Sequence, residues 1–302
     1  MEGYVRSDLA AECGADREGD GVHIRKSESG GCRILHVQIK TAQAAERVGK
    51  PMGHYVTVEC GNVGHLSGGE LDRARCALSV EIREMAEHMC GKRIGARFSV
   101  LIVGLGNREI AADAVGPETV RLLSVTRHLR QADPLLLSTT GLCEIAAIAP
   151  GVLGQTGMEA VEQVRGAAET VRPDLVVAVD ALAARSVDRL GGTVQISDTG
   201  IHPGSGIGNR RRAINTETVG VPVMALGVPT VVDTATLVCD TLRQSGAPSP
   251  LPPECRGVIE RGRALFVSPK EVDLLTAAAA SLLSTALEKA FAVRDGDFCK
   301  NP

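Results

Sequence analysis

The segment SVLIVGLGNREIAADAVGP, from Ser99 to Pro117, predicts the centre of the fold. It begins with an unbroken apolar run, which is typical of a strand buried on both faces of a parallel sheet. The run ends at Gly104 and Gly106, and a loop then carries Asp113 to a helix that begins at Pro117. An acidic side chain is therefore expected close to the carboxyl end of a buried strand.

A second unit of the same kind occupies residues 174–185, DLVVAVDALAAR. Leu175 to Val179 predict another buried strand, with Asp180 at its end. In open α/β sheets, ligands bind in the crevice outside the carboxyl ends of the strands. If the two strands are neighbours, Asp113 and Asp180 face one crevice.

The composition of the chain predicts the same class of fold. Of its 302 residues 44% are apolar, and none is tryptophan. An aliphatic core of this size favours a three-layer α/β fold with a mostly parallel central sheet flanked by helices. We predict one such domain over residues 9–302, with a Pro-rich linker near 245–253.

Charge, hydropathy and cysteine usage limit the partners and the compartment. The formal net charge of −3 offers no broad basic field for nucleic acid. No apolar run approaches the roughly 20 residues that span a membrane, so no membrane partner is expected. Nine cysteines are scattered without a C-x-x-C pair and without a signal peptide, which is typical of reduced thiols in a cytoplasmic protein.

The periodicity of the remaining sequence predicts repeated β-loop-α units after an antiparallel edge. The first 23 residues are polar and glycine-rich, and they predict a loosely held arm. The last helix should be capped by Ser268, with Pro269 in its first turn. The other predicted elements are strands at 33–40 and 54–60, which form the edge, strands at 144–150, 193–197 and 221–228, and helices at 69–90, 117–128, 158–171 and 232–242.

Asp113 and Asp180 are the candidate catalytic residues. Two carboxylates held close together cannot both ionise cheaply, so they share a proton. Such a pair supplies a base that activates water and an acid that protonates a leaving amine. The alternative is that each acid caps the helix after its strand. Which member would be the base stays open, since a coupled pair titrates jointly.

Three glycine-containing motifs match known signatures only in part. GLG at 104–106 lacks the third glycine of a dinucleotide fingerprint, and GSG at 204–206 lacks the frame of a serine nucleophile. DTG at 198–200 occurs once, in an α/β pattern, whereas aspartic proteases of the pepsin or retroviral type need two such loops that face each other on β-rich lobes, or one in each subunit of a dimer. A glycine-rich turn stabilised by the aspartate is the better account of it.

The same loops supply candidate substrate-binding residues. Backbone groups of Gly104, Gly106, Asn107 and Gly204 could line a substrate groove. His202 beside them could orient substrate or bind a metal, although a lone histidine in a loop usually does neither.

Several separate blocks of the sequence resemble the germination protease family of spore-forming bacteria, endopeptidases that degrade small acid-soluble spore proteins. The blocks are long, and they follow one another in order along nearly the whole chain. They are VGLGN at 103–107, DAVGP at 113–117, VTRHL at 125–129, APGVLGQTGME at 149–159, PDLVVAVDALAARSVDR at 173–189, QISDTGIHPGSGIGNRR at 195–211, GVPTVVD at 227–233 and VSPKEVD at 267–273.

The resemblance implies an atypical aspartic endopeptidase that uses no cofactor and no metal. It also implies a phosphorylase/hydrolase-like α/β fold shared with hydrogenase maturation endopeptidases. The family's two required aspartates fall on Asp113 and Asp180, the acids that the strand ends also select.

The resemblance further implies a zymogen that removes its own propeptide, assembles as a homotetramer and acts in the spore core. Residues 6–10, RSDLA, resemble the processing site, so cleavage is expected between Asp8 and Leu9, with residues 1–8 as the propeptide. The expected partners are small acid-soluble spore proteins, as substrates, and further copies of the chain. Between residues 242 and 267 the chain lacks several tens of residues that the family usually carries.

Two other functions stay open from the residues alone. GLGN followed by an aspartate also resembles the maturation endopeptidases, in which acids and a histidine contact nickel. A metal-dependent endopeptidase with His202 as the third ligand is therefore one alternative. A non-catalytic protein that binds acidic or anionic partners through its glycine-rich loop is the other.

Overall fold

A computed structural model describes residues 6–13, 19, 21–204, 211–246, 257, 259, 262 and 265–293. The strands of this part of the chain form one sheet. They are β1 (Val22–Ser29), β2 (Cys32–Ile39), β3 (Gly53–Glu59), β4 (Ser99–Gly104), β5 (Glu144–Ile148), β6 (Leu175–Ala184), β7 (Thr193–Ser197), β8 (Val223–Asp233) and β9 (Phe266–Val267).

The sheet has a parallel half and an antiparallel half, in the order β1-β2-β3-β7-β8-β6-β4-β5, with β9 beside β8. In the parallel half, β5, β4, β6 and β8 pair with one another. The antiparallel half, β1, β2, β3 and β7, joins β8 through β7. The predicted α/β class and the antiparallel edge are confirmed. The sheet is mixed rather than mostly parallel, because turns such as Gly30-Gly31, both at positive φ, return the chain at once to an antiparallel neighbour.

Helices cover both faces of the sheet, as the three-layer prediction requires. Residues of α2, α3 and α10 pack in the core on one face, and residues of α7 and α8 pack in the core on the other. The helices are α1 (Ala42–Val48), α2 (Gly68–Cys90), α3 (Val115–Leu122), α4 (Arg127–Ala132), α5 (Pro134–Thr140), α6 (Leu153–Thr156), α7 (Ala160–Val171), α8 (Thr216–Val219), α9 (Thr234–Gln244) and α10 (Val272–Ala290).

The apolar run of strand β4 packs against the helices on both faces of the sheet. Val100 and Ile102 point into the core beneath α2 and α10, and Leu101 and Val103 point into the core beneath α7. All four side chains are completely buried. Each contributes about 1.5–3 kcal/mol by its removal from water, which fixes β4 at the centre of the parallel half.

The helix predicted over 117–128 ends early, at Leu122. The reason is Thr126, which is tied to the neighbouring strand. Its backbone N–H donates to Ile145 O at 2.9 Å, and its Oγ1 donates to Cys143 O at 2.7 Å. These bonds hold the chain away from a helical path until α4 begins.

The start predicted for the last helix is also wrong. The helix begins at Val272, after Glu271, and no side-chain capping bond precedes it. Val267 pairs with Val232 of β8, so the chain must turn once before it can enter the helix. The prediction of a cap at Ser268 overlooked this short strand.

Residues 6–13 of the N-terminal arm are held more firmly than the composition of the arm predicts. Leu9 and Ala10 are completely buried. Leu9 packs beside Leu182 and Leu190, and Ala10 packs beside the inner face of β2. Leu9, Ala10 and Ala11 are therefore part of the folded core.

Other expectations concern the rest of the described chain. None of the seven cysteines described there lies in a disulfide. No helix in these residues is long and apolar enough to cross a membrane. From residue 247 onward, the predicted Pro-rich linker lies outside the described residues.

Candidate active site

A cavity of about 200 Å³ opens where the parallel and antiparallel halves of the sheet meet. Its walls come from β6, β7, β8, the turn before α3 and the loop after β7. Asp113 and Asp180 both line it, together with Asp8, Lys50 and Gln195. The two acids selected from the sequence are thus brought to one cavity.

Asp180 lies in the middle of β6 rather than at its end. The strand continues to Ala184 because its apolar residues still pair with β8, and Asp180 itself pairs with Gly227. The side chain nevertheless reaches the cavity, since β4 ends at Gly104, opposite Val179, one residue earlier. Asp180 is only 6% exposed. The end of the neighbouring strand opens the crevice at this point.

Asp113 ends a short 3₁₀ turn, Ala111–Asp113, and one residue separates it from α3. Two threonines from other elements fix this turn. Thr230 Oγ1 donates to Ala112 O at 2.6 Å, and Thr276 Oγ1 donates to Ala111 O at 2.8 Å. The position of the Asp113 carboxyl group therefore depends on β8 and α10 as well as on its own loop.

The glycines of the first loop allow the backbone of residues 113–117 to approach closely. Gly104 lies against the backbone of Gly116, and Gly106, at a φ of +112°, lies against the backbone of Asp113. Any larger side chain at either position would collide with these atoms. Asn107 adds a backbone N–H that donates to Asp113 Oδ2 at 2.7 Å.

The five candidate substrate-binding residues thus fall into two groups. Among the described residues, His202 and Gly204 line the cavity, whereas Gly104, Gly106 and Asn107 do not and instead support Asp113. Residues 205–210 of the second glycine loop lie outside the described chain.

Burial shifts the pKa values of both acids upward, and the charge of Asp113 adds to the shift at Asp180. Burial raises the pKa of Asp113 above its ordinary 3.8, partly opposed by the bond from Asn107. Burial raises the pKa of Asp180 well above 3.8, and the charges of Asp113 and Asp8 raise it further, against one bond from Ala181 N–H. Because burial and nearby negative charge both disfavour the ionised form, Asp180 keeps its proton to a higher pH than a free carboxyl group does.

Neither acid caps a helix. The residue before α3 is Ala114, which makes no side-chain capping bond, and Asp180 lies inside a strand. The helix-cap alternative is therefore wrong for both residues. Their burial and shifted pKa values are typical of functional carboxyls instead.

The aspartate of the DTG triplet has a different role. Asp198 Oδ2 lies 2.7 Å from His54 Nδ1, and its Oδ1 accepts from the backbone N–H of His54 at 2.8 Å. The expected stabilisation of a turn by the aspartate is thus replaced by a link between the loop after β7 and β3. The next two residues, Thr199 and Gly200, line the cavity.

Lys50 and Gln195 were missed in the sequence. Gln195 has the largest polar side chain in a strand, TVQIS, that is buried throughout, and this contrast is a signal that could have selected it. Lys50 lies in the loop between α1 and β3, and nothing in its local sequence indicates a site. In the described residues, no group of three or more histidine, cysteine and acidic side chains is arranged to hold a metal ion.

Comparison with known proteins shows which family this chain resembles. The family model described as germination protease matches residues 5–244. A germination protease of Clostridium perfringens is 41% identical over 245 residues, which cover 79% of this chain and 73% of that protein. A germination protease of Bacillus subtilis is 40% identical over 247 residues, which cover 79% of this chain and 66% of that protein. A [NiFe] hydrogenase maturation protease, HycI from Thermococcus kodakarensis, superposes on 63% of this chain and 93% of its own, with 18% identity and a TM-score of 0.34.

Proposed function

This chain belongs to the germination protease family and is a protease, and we propose that it hydrolyses peptide bonds with Asp113 and Asp180 as its base and acid. The observation that carries the proposal is that both carboxyls line one cavity and that the charge of Asp113 raises the pKa of Asp180. Paired carboxyls with unequal environments can divide the work of giving and taking a proton.

Asp113 is the proposed base, because it is less buried than Asp180 and the N–H of Asn107 favours its ionised form. Asp180, 6% exposed, holds the shared proton. Asp113 takes a proton from water while the water oxygen bonds to the peptide carbonyl carbon. Asp180 gives its proton to the nitrogen as the C–N bond breaks, and the proton on Asp113 then returns to Asp180.

The proposed substrates are small acid-soluble spore proteins, which the resemblance of the sequence blocks implies. From the same resemblance we expect a homotetramer that acts in the spore core. These three statements stay predictions of the family.

The chain's own Asp8–Leu9 bond is a second proposed substrate, cut when the zymogen processes itself. Asp8 lines the cavity of the two acids, and its charge contributes to the raised pKa of Asp180. Asp8 N–H donates to Ala183 O at 2.9 Å, and Asp8 Oδ2 accepts from Ala183 N–H at 2.9 Å. Asp8 is thus held beside β6 by its backbone and its side chain, shortly before the 3₁₀ turn Ala10–Glu12 begins.

The test is incubation of the purified full-length chain with one small acid-soluble spore protein, with the fragments mapped by mass spectrometry. We expect cuts after acidic residues, loss of residues 1–8 from the chain itself, and rates that EDTA leaves unchanged. Tight binding without cleavage would contradict the proposal and favour a binding protein. Loss of cleavage in EDTA that zinc or nickel restores would favour a metal-dependent enzyme.

A further inference from the structure

The carbonyl oxygen of Asp8 is held by two side chains from distant parts of the chain. Lys50 Nζ donates to it at 3.0 Å, and Gln195 Nε2 donates to it at 3.0 Å. Lys50 Nζ also reaches Ser7 O at 3.2 Å. This oxygen belongs to the Asp8–Leu9 peptide bond, so a cation and an amide converge on the bond that the proposed function would cut.

Gln195 holds the chain on both sides of that bond. Its Nε2 donates to Asp8 O, and its Oε1 accepts from Ala10 N–H at 2.6 Å. One planar amide group therefore binds the backbone before and after Leu9. Because Gln195 is 9% exposed and its own strand is fixed on both sides, these bonds set the register of the segment in the cavity.

The sheet places Gln195 and Asp180 on the same face. Gln195 of β7 and Asp180 of β6 are both register partners of Gly227 on β8. Directly opposite residues point to one face, and neighbouring strands lie about 4.8 Å apart, so the two side chains flank a gap of about 10 Å between their backbones. Gly227 at the centre adds no side chain to this gap, and the Leu182 side chain packs against it.

We propose that Lys50 and Gln195 form an oxyanion cradle, in which both side chains stabilise the negative charge that develops on the carbonyl oxygen of the cleaved bond. When the water oxygen bonds to the carbonyl carbon, the π electron pair moves to this oxygen, and the Lys50 ammonium and Gln195 amide already point at it. The pair returns as the C–N bond breaks, so neither side chain changes its bonding. A fixed ammonium attracts an oxyanion more strongly than a neutral carbonyl, and that difference lowers the barrier.

This inference rests on the proposed function, since it adds groups that stabilise the oxyanion to the two acids that transfer protons. The competing explanation is that Lys50 and Gln195 only tether the N-terminal arm. A tether acts on docking of the arm, whereas a cradle acts on the rate of bond cleavage in an arm that is already docked.

The test measures self-cleavage and docking in the same full-length chains. Self-cleavage is the first-order rate at which residues 1–8 are lost, followed by mass spectrometry. Docking is the hydrogen-exchange protection of residues 9–13, with the uncut Asp113→Asn chain as the reference. The variants are Lys50→Met, Lys50→Arg and Gln195→Glu, and the control is Lys40→Met, which changes an exposed lysine of the same region.

The cradle predicts that Lys50→Met slows self-cleavage by about 10²-fold or more while residues 9–13 stay protected. Lys50→Arg should recover part of the rate, Gln195→Glu should slow it because a carboxylate opposes the oxyanion, and Lys40→Met should match the wild type. On the synthetic peptide GYVRSDLAAECG, residues 3–14, Lys50→Met should lower kcat and leave KM within about threefold.

Two results would overturn the cradle alone: wild-type self-cleavage in Lys50→Met, or slow cleavage together with lost protection of residues 9–13. In both cases Asp113→Asn would still be inactive, so the proposed function would stand. Self-cleavage by Asp113→Asn at the wild-type rate, or a wild-type chain that cuts neither itself nor the peptide, would overturn the proposed function and the cradle with it.

Discussion

The aspartates of the two halves of the sheet lie in opposite environments. In the antiparallel half, Asp198 is matched to a partner, since both of its oxygens meet nitrogens of His54. In the parallel half, burial raises the pKa of both Asp113 and Asp180, and the charge of Asp113 raises the pKa of Asp180 further. An aspartate with a hydrogen-bonded partner stabilises the fold. Aspartates whose charges repel lower its stability, and such pairs are typical of functional sites.

The same division applies to what each half gives to the cavity. The parallel half supplies the two acids, and the antiparallel half and its loop supply the donors Gln195 and Lys50. The site therefore exists only where the halves join, at the ladder between β7 and β8.

Replacement of a single aspartate by asparagine should give the largest difference between the two halves. Asp113→Asn and Asp180→Asn should each lower the cleavage rate by about 10²–10⁴-fold, because an amide neither takes nor gives the proton. Asp198→Asn should lower it less than tenfold and instead cost about 1–2 kcal/mol of stability. The measurements are initial rates on one spore-protein substrate and urea unfolding.

Equal cleavage rates in all three variants would contradict the different roles assigned to Asp198 and to the pair of Asp113 and Asp180. Circular dichroism of each variant controls for loss of fold.

The tight loop of the parallel half should be the next most sensitive feature. A methyl group at Gly104 would meet the backbone of Gly116 and Pro117, so Gly104→Ala should lower the free energy of unfolding by about 2–3 kcal/mol. The matched control is Gly95→Ala, where the methyl group meets nothing within 4 Å and should change stability by less than about 0.5 kcal/mol. Urea unfolding of both variants measures the difference, and similar values would contradict the close approach.

The threonines that fix Asp113 should show a smaller effect. Thr230→Val keeps the shape of the side chain and removes the bond to Ala112 O, so it should cost about 1 kcal/mol and lower kcat about fivefold. Thr241→Val removes a similar bond, to Leu237 O on the exposed side of α9, and should leave kcat unchanged. Steady-state kinetics on the two variants separates positioning of the acid from a general loss of stability.

The acids could be found in the sequence because local patterns mark them. Each follows an apolar run that can only be a buried strand, and such strands meet at one edge of the sheet. The exact place of Asp180 could not be found, since β6 continues past it and the opening depends on where β4 ends, opposite Val179. The end of one strand is decided by its neighbour, which the local sequence does not contain.

The hydrogen-bond donors Gln195 and Lys50 could not be found in the sequence, because their positions in the cavity depend on the register between distant strands. Gln195 faces Asp180 only through the pairing of both with Gly227. Lys50 reaches the cavity from a loop whose position is set by the pairing of β3 with β7. The same holds for the arm, since Leu9 is buried among residues of β6 and β8 that lie more than 170 positions away.

The central claim is that Asp113 and Asp180 share one proton in one cavity, and NMR titration of ¹³C-labelled aspartate side chains tests it most directly. The two signals are assigned with the Asn variants, and both acids are followed as the pH rises. The account predicts that Asp180 loses its proton well above 3.8 and that Asp113→Asn lowers the pKa of Asp180, because it removes the opposing charge. An Asp180 signal that titrates near 3.8 and does not respond to Asp113→Asn would contradict it.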